Sequence, residues 1–404
     1  MLFIVEACFK TSLNINERLG IMRIKTFLLT GIAVALFVSC EHKEVPDKII
    51  NINESGENEP QNIFKKVKFT LLKNNGNVFM SDVSALDVYD DYMLIRDKRD
   101  ILYLFTRDGN LISDSEDKFG HGDGEFSIVT AYTFNPYSKT VEIVTPKDLL
   151  IFDIHFKLQK KIPIPTKFSS TENGFVFFGK IFDLDSKTHL LIPTGISKDC
   201  NRIYIFDSEK HKMIKTISYE KDVIANITMQ TRCFFPYHKD SLLFFPPCIT
   251  NNIFTFDKRK LSIDKKYHVD FGSNGVSVSD IKQYGDNVGK LKEYLLKCDK
   301  SMPVKVMYAN HMIVFLIKES NNIKKWHTIF YCMNTGLLSS IKNYDGNKMK
   351  FPPVFSCWGN SVFSAVEAEH IPNIQSMFGA NAEMSGFECD YGENNYVVVE
   401  YPIE

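Results

Sequence analysis

The sequence predicts an all-β fold, a six-bladed β-propeller of four-stranded antiparallel blades with one short helical insertion. Three observations carry that prediction. Apolar runs of four or five residues alternate with tight-turn signals through most of the chain. A marker, an apolar strand ending in phenylalanine and followed by a polar turn, recurs about every 50 residues, within the range of propeller blades. Phenylalanine, at 33 of 404 residues, concentrates in those runs, as suits strands that pack face to face.

Residues 81–113 show the unit most clearly. Ala85 to Tyr89 is followed by the turn Asp90-Asp91, then Tyr92 to Ile95, the charged loop Arg96 to Asp100 and Ile101 to Phe105. Asp108-Gly109-Asn110 is a tight-turn signal, and Leu111-Ile112-Ser113 forms an edge strand. One such meander cannot bury both of its faces, so it must stack on copies of itself. The marker returns at Phe105, Phe152, Phe206 and Phe256, and more weakly at Phe330. These place blades near 82–113, 131–164, 176–217, 233–271 and 304–342. A sixth begins at Val354-Phe355, continues through Ser361 to Val366 and needs another strand. Tyr396 to Tyr401 or Lys66 to Leu72 would supply it, the latter closing the ring with an N-terminal strand and removing exposed sheet edges.

The long step from Phe256 to Phe330 accommodates the insertion. Ile281, Tyr284, Val288, Leu291, Tyr294, Leu295 and Cys298 recur at helical spacing, with Ser279 as the expected N-cap. Gly285 and Gly289 weaken the pattern, so it reads as one amphipathic helix or two short ones packed over a blade edge. No other segment after the leader reads as a convincing helix.

The leader occupies residues 22–40. Arg23 and Lys25 precede an uncharged apolar run, Thr26 to Val38, too short to span a bilayer comfortably, and polar residues follow at once. Residues 1–21 read as a probable upstream mis-start. Residues 41–61, with Pro46, Ser55, Gly56 and Pro60 among Asn and Glu, read as a flexible tether, and 62–404 as the propeller. The cysteine after the apolar run resembles a bacterial lipoprotein cleavage site. That resemblance implies cleavage before Cys40, lipidation of its sulfur and attachment to the cell envelope, on the periplasmic or outer-membrane face. Val38-Ser39-Cys40 lacks the leucine usual three residues before the cysteine, a relaxed form familiar in the Bacteroidetes group.

Net charge is −1 with both signs interspersed, so a nucleic-acid surface is excluded. The nine cysteines contain no Cys-x-x-Cys pair and no zinc-like spacing with histidine. They read as buried thiols, and no metal or cofactor is expected.

Phe119-Gly120-His121-Gly122-Asp123-Gly124-Glu125-Phe126, between the first and second blades, resembles the Gly-x-Gly-Pro-Gly-Glu-Phe/Tyr signature of six-bladed β-propeller lipoproteins of Bacteroides-type bacteria. The C-terminal run Glu393-Asn394-Asn395-Tyr396-Val397-Val398-Val399 is similar to that family's chain ends. Asp123 stands where the family usually has proline, so this loop need not keep a proline-rigidified shape.

His121, Asp123 and Glu125 make this glycine-rich loop the candidate ligand-facing site, against a plain inter-blade turn. No helix or lysine follows to make it a phosphate cradle, and six residues offer too few oxygens for calcium. The remaining histidines are scattered, and Asp90-Asp91 and Asp183/Asp185 sit at turn-like positions. Phe244 to Pro247 and Phe351 to Phe355 are either stacking platforms or strand ends terminated by proline. No catalytic set is legible. The reading is a lipid-anchored module that binds or scaffolds a glycan, peptide or envelope protein; the alternative is a polysaccharide-active hydrolase or lyase with carboxylates at the axis.

Overall fold

The computed structural model describes residues 47–73, 80–122, 124–165, 177–193, 201–220, 230–248, 250–284, 287–318, 326–345, 348–385 and 396–404. The leader with Cys40, and Asp123, lie outside the described residues.

Among the described residues, six sheets of four or five strands follow one another along the chain, with a two-stranded hairpin at Tyr344–Asp345 and Lys348–Met349 besides. Blade 1 covers 83–114, blade 2 131–163, blade 3 178–218, blade 4 234–270 and blade 5 302–342, each starting from four antiparallel strands in chain order. Blade 6 runs, from its inner strand outward, Ser356–Trp358, Ser361–Glu367, Tyr396–Pro402, Val67–Leu71 and Ala382–Ser385. Both segments considered for its completion therefore join it. The C-terminal strand pairs antiparallel with Ser361–Glu367 on one side and with the N-terminal strand on the other. Joining the two chain ends in one sheet closes the ring without a free seam.

Apolar side chains on both faces of the strands make the blade-to-blade contacts. Leu94 and Leu104 of blade 1 pack with Phe134 and Val141 of blade 2. Ile203 and Ile205 of blade 3 pack with Phe234 and Leu242 of blade 4. Leu86 and Val88 of blade 1 meet Phe363 and Val398 of blade 6. Where blades 5 and 6 meet, Phe64 lies 5.3 Å from Phe330 and 5.1 Å from Tyr401, ring to ring. The first strands are innermost: those of blades 2 and 3, 4 and 5, 5 and 6, and 6 and 1 approach one another around the axis.

The four-stranded description needs extending. Blades 4, 5 and 6 each carry a fifth strand, added in parallel to the outer edge. Two of these strands come from residues 47–61, expected to be a flexible tether. Lys48–Asn51 pairs with Ser262–Asp270 of blade 4, and Gly56–Glu57 with Leu338–Lys342 of blade 5. The polar composition of 41–61 hid two apolar anchors, Ile50 and Ile52, which are buried in the core. Open backbone edges on blades 4 and 5 supply the hydrogen bonds that an isolated polar segment lacks.

The insertion forms two helices, Val278–Lys282 and Val288–Lys297. The cap of the first is Ser277 rather than Ser279: its hydroxyl accepts from Asp280 N–H while the Asp280 carboxylate accepts from Ser277 N–H. Asn287 caps the second. Ile281, Leu291 and Leu295 pack on Met302, Val304 and Leu316 of blade 5. A further helix, Ile371–Phe378, was not anticipated, because its run is short and opens on Ile371-Pro372. Proline is at home in a first helical turn, and Ile371, Ile374 and Phe378 bury against the blade 5–blade 6 core.

Candidate functional site at the propeller axis

Three first strands carry a charged residue in their interior among mostly apolar neighbours: Asp87 in Val83–Val88, Lys180 in Phe178–Asp183, which also ends on Asp183, and Lys305 in Met302–Ala309. Innermost strands are enclosed on both faces, so an ionised side chain there meets other charges rather than bulk water. Asp87 is held among Arg232, Lys305 and Lys180. Arg232 enters from the segment ahead of blade 4. A register shift between Pro303 and Lys305 distorts the blade 5 inner strand. Gln230 fastens that strand, its amide accepting from Val306 N–H at 2.8 Å and donating to Val306 C=O at 2.6 Å. Two residues on, the Arg232 guanidinium lies 4.7 Å from the Tyr89 ring centre and 4.9 Å from that of Trp358. The rings themselves are fixed: Trp358 Nε1 donates to Asp90 Oδ1 at 2.8 Å, and Tyr89 Oη accepts from Phe134 N–H at 3.1 Å.

The electrostatic balance is uneven. Burial pushes the Asp87 carboxyl up, and Arg232, Lys305 and Lys180 pull it back. Burial pushes Lys305 down to about 8 against the attraction of Asp87, and it pushes Lys180 down as well. Lys305 Nζ donates to the Phe355 carbonyl at 2.8 Å. Arg232 Nη1 is buried with no hydrogen-bond partner among the described residues, as are Arg96 Nε and Tyr132 Oη beside it. Arg96 stacks on the Tyr132 ring at 5.7 Å and pairs with Asp100 at 2.6 Å. Three cations thus face one carboxylate, and buried donors outnumber acceptors. Arg232, Lys180, Arg96 and Tyr132 are half-buried rather than sealed, so the cluster can be reached. Chemically, this arrangement can hold an anion.

Glycoside hydrolysis uses two carboxyl groups on opposite sides of the scissile bond; among the described residues, Asp87 is the carboxylate placed among these cations. The two thiols at the axis, Cys233 and Cys357, are buried, with Cys233 pushed up to about 12 and Cys357 also raised by burial. Neither is a nucleophile at neutral pH. Behind Lys305, a cavity of about 20 Å³ bordered by Gln230, Phe245 and Val304 has room for one water. A larger crevice of about 270 Å³ opens where residues 52–57 cross from blade 4 to blade 5, with Glu57, His327 and Ser340 at its walls.

The glycine-rich loop is placed elsewhere. His121 is exposed, and Glu125 turns back on its own loop, where Oε2 accepts from Gly122 N–H at 2.8 Å. The same oxygen lies 1.9 Å from where a side chain on Gly120 would begin, so a larger residue there would have to displace the flexible end of Glu125. Phe119 and Phe126 close the loop with rings 4.9 Å apart. Among the described residues, no contact joins His121 or Glu125 to the axial groups. Phe244 to Pro247 are buried, and Phe351 stacks 5.9 Å from Phe64, so these segments serve the core. Asp185 is the turn residue expected, accepting from Lys187 and Thr188 N–H. Asp183 is not; it is buried against His189 at 2.8 Å. Sequence reasoning passed over the axial set, whose signal was a charge in the interior of each of three mostly apolar inner strands.

Comparison with known proteins agrees with the architecture. The family described as domain of unknown function DUF4934 matches residues 47–395. None of the curated proteins matches the chain. A crystal structure of a candidate exported protein from Bacteroides fragilis NCTC 9343 superposes with a TM-score of 0.65 at 13% identity, covering 88% of this chain and 99% of that one. A member of the DUF4221 family from Bacteroides vulgatus ATCC 8482 superposes at 0.52 and 10% identity, covering 85% and 98%. At such identities the likeness is one of fold. Among the described residues, no helix is long and apolar enough to cross a membrane.

Proposed function

The chain belongs to the DUF4934 family, and on that premise we propose that it is an exported, lipid-anchored propeller that binds an anionic group at its axis. The group would be a carboxylate, sulfate or phosphate carried by a glycan, peptide or partner protein. One observation carries this reading: Arg232, Lys180 and Lys305 converge on Asp87 alone, with a buried guanidinium nitrogen left without an acceptor. A buried donor without a partner costs roughly 1–3 kcal/mol, more when charged, and a bound oxyanion would satisfy it. The Tyr89 and Trp358 rings, tilted 51° to one another with centres 5.6 Å apart, would add an apolar wall beside the anion.

Export and anchoring rest on the leader at 22–40 and on Cys40, supported by the name of the Bacteroides fragilis neighbour. Membrane fractionation tests anchoring: Cys40→Ser should move the protein into the soluble fraction and abolish incorporation of labelled palmitate. Titration calorimetry with sulfate and with glucuronate tests the axis. Binding to the wild type that weakens at least tenfold in both Lys180→Met and Arg232→Met is the expected result. Absence of binding, or binding indifferent to both substitutions, contradicts the assignment.

A further inference from the structure

A second buried cluster sits between blades 2 and 3. Glu142 comes from the second strand of blade 2, Asp183 from the end of the first strand of blade 3, and His189 from the strand after it. All three are buried, Glu142 and His189 completely. His189 Nδ1 is 2.8 Å from Asp183 Oδ1 and 3.1 Å from Glu142 Oε2. One oxygen, one oxygen and one nitrogen thus lie within 4.8 Å of one another. Glu142 Oε2 and Asp183 Oδ2 are buried without a hydrogen-bond donor.

Charge decides what the cluster lacks. No lysine or arginine among the described residues pairs with any of the three. With both carboxylates ionised and His189 protonated, the set carries a net −1 in a sealed interior, an expensive state. Burial together with the neighbouring Glu142 raises the Asp183 carboxyl to about 7, so in the metal-free protein a proton relieves it. Exchanging the Nδ1 proton for a divalent cation makes two carboxylates, a neutral imidazole and the ion sum to zero. Asn135 supplies a second-shell contact to one ligand, its Nδ2 donating to Glu142 Oε1 at 2.9 Å and leaving Oε2 turned inward, whereas His189 Nε2 has no hydrogen-bond partner among the described residues. The same amide bonds the Asp185 carbonyl of blade 3 at 3.2 Å, tying the two blades at this point.

We propose that Glu142, Asp183 and His189 form a structural site for a divalent transition metal of the Zn²⁺ class, pinning blade 2 to blade 3. Imidazole nitrogen with carboxylate oxygen suits Zn²⁺, which also ranks high in affinity among the first-row divalent ions. Atoms bound tetrahedrally at about 2.1 Å stand roughly 3.4 Å apart, so the 2.8 and 3.1 Å separations need to open only by a few tenths of an ångström. Binding releases the Nδ1 proton to solvent and leaves a fourth position for a second carboxylate oxygen or a water. The burial of every ligand makes this a folding site loaded as the blades close, not a catalytic one.

The test is metal analysis of the untagged full-length protein, followed by unfolding in urea with EDTA and refolding with or without one equivalent of ZnCl₂. The site predicts close to one bound metal per chain and a melting temperature higher by roughly 5 °C with zinc. Asp183→Asn and Glu142→Gln, which keep shape and remove ligand charge, should each lose the metal and the shift. Wild-type protein refolded with zinc that holds less than a tenth of an equivalent and melts like the EDTA-treated sample would overturn the proposal. So would a Glu142→Gln variant that still binds one equivalent. If either variant fails to fold, the wild-type measurement decides alone.

Discussion

The axis and the seam between blades 2 and 3 both bury charge, but in opposite proportion. At the axis three cations surround Asp87, two of them, Arg232 and Lys180, half-buried rather than sealed. At the seam two carboxylates share His189 with none of the three open to water. The contrast separates two uses of an unbalanced interior charge. A reachable excess of donors is a place where a ligand can come and go, whereas a sealed excess of acceptors can only be matched once, during folding. Hence the axis is assigned to binding and the seam to cohesion.

Substitutions should affect the two regions with opposite sign. The largest effect belongs to the seam. His189→Ala leaves Glu142 and Asp183 buried with no cation, and should cost roughly 3–5 kcal/mol in urea unfolding. A loss below 1 kcal/mol would show that the cluster is not a cohesive element. At the axis, Lys180→Met removes a cation that burial already disfavours. It should raise the stability of the ligand-free protein by roughly 1 kcal/mol while weakening anion binding about tenfold. Destabilisation there would make the two clusters alike and erase the distinction.

Proton linkage sharpens the same contrast. Lys305 faces Asp87, Lys180, Cys357 and the Phe355 carbonyl, and folding lowers it to about 8. Between about 8 and the ordinary lysine value, the unfolded chain binds more protons than the folded one, so this group's contribution to stability rises with pH through that window. Anion affinity must move the other way, falling as pH passes about 8 and Lys305 loses its charge. A pH-independent affinity from 7 to 9, measured by calorimetry at constant ionic strength, would remove Lys305 from the site. The smallest expected effect is that of Asp87→Asn, which deletes the one competing carboxylate and should tighten anion binding about threefold, roughly half a kcal/mol.

The blades were legible because each is a local event: a strand, a turn and a phenylalanine marker within about 50 residues. Predicted and observed limits of blades 1 to 5 agree to within two residues, as at 82–113 against 83–114. What was not legible depends on partners distant in the chain. Residues 47–61 read as tether because their strands exist only on the edges of blades 4 and 5, some 200 to 290 positions away. Asp183 and Asp185 looked alike as turn residues, and only packing separates them: one caps a turn, while the other meets His189 and Glu142 across a blade boundary. The loop at His121 and Glu125 attracted attention through its glycines, yet those glycines make room for Glu125 itself. Charges in the interior of inner strands, at Asp87, Lys180 and Lys305, were the better signal, since a charge in an inner strand has to be matched.

The central claim is that the axis holds an oxyanion, and anomalous diffraction tests it most directly. Crystals grown with selenate in place of sulfate, measured at the selenium edge on protein containing ordinary methionine, should show a peak within hydrogen-bonding distance of Arg232 Nη1 and Lys180 Nζ. The peak should be absent from Lys180→Met crystals. Selenate found at surface lysines while the axis holds only water would contradict the account.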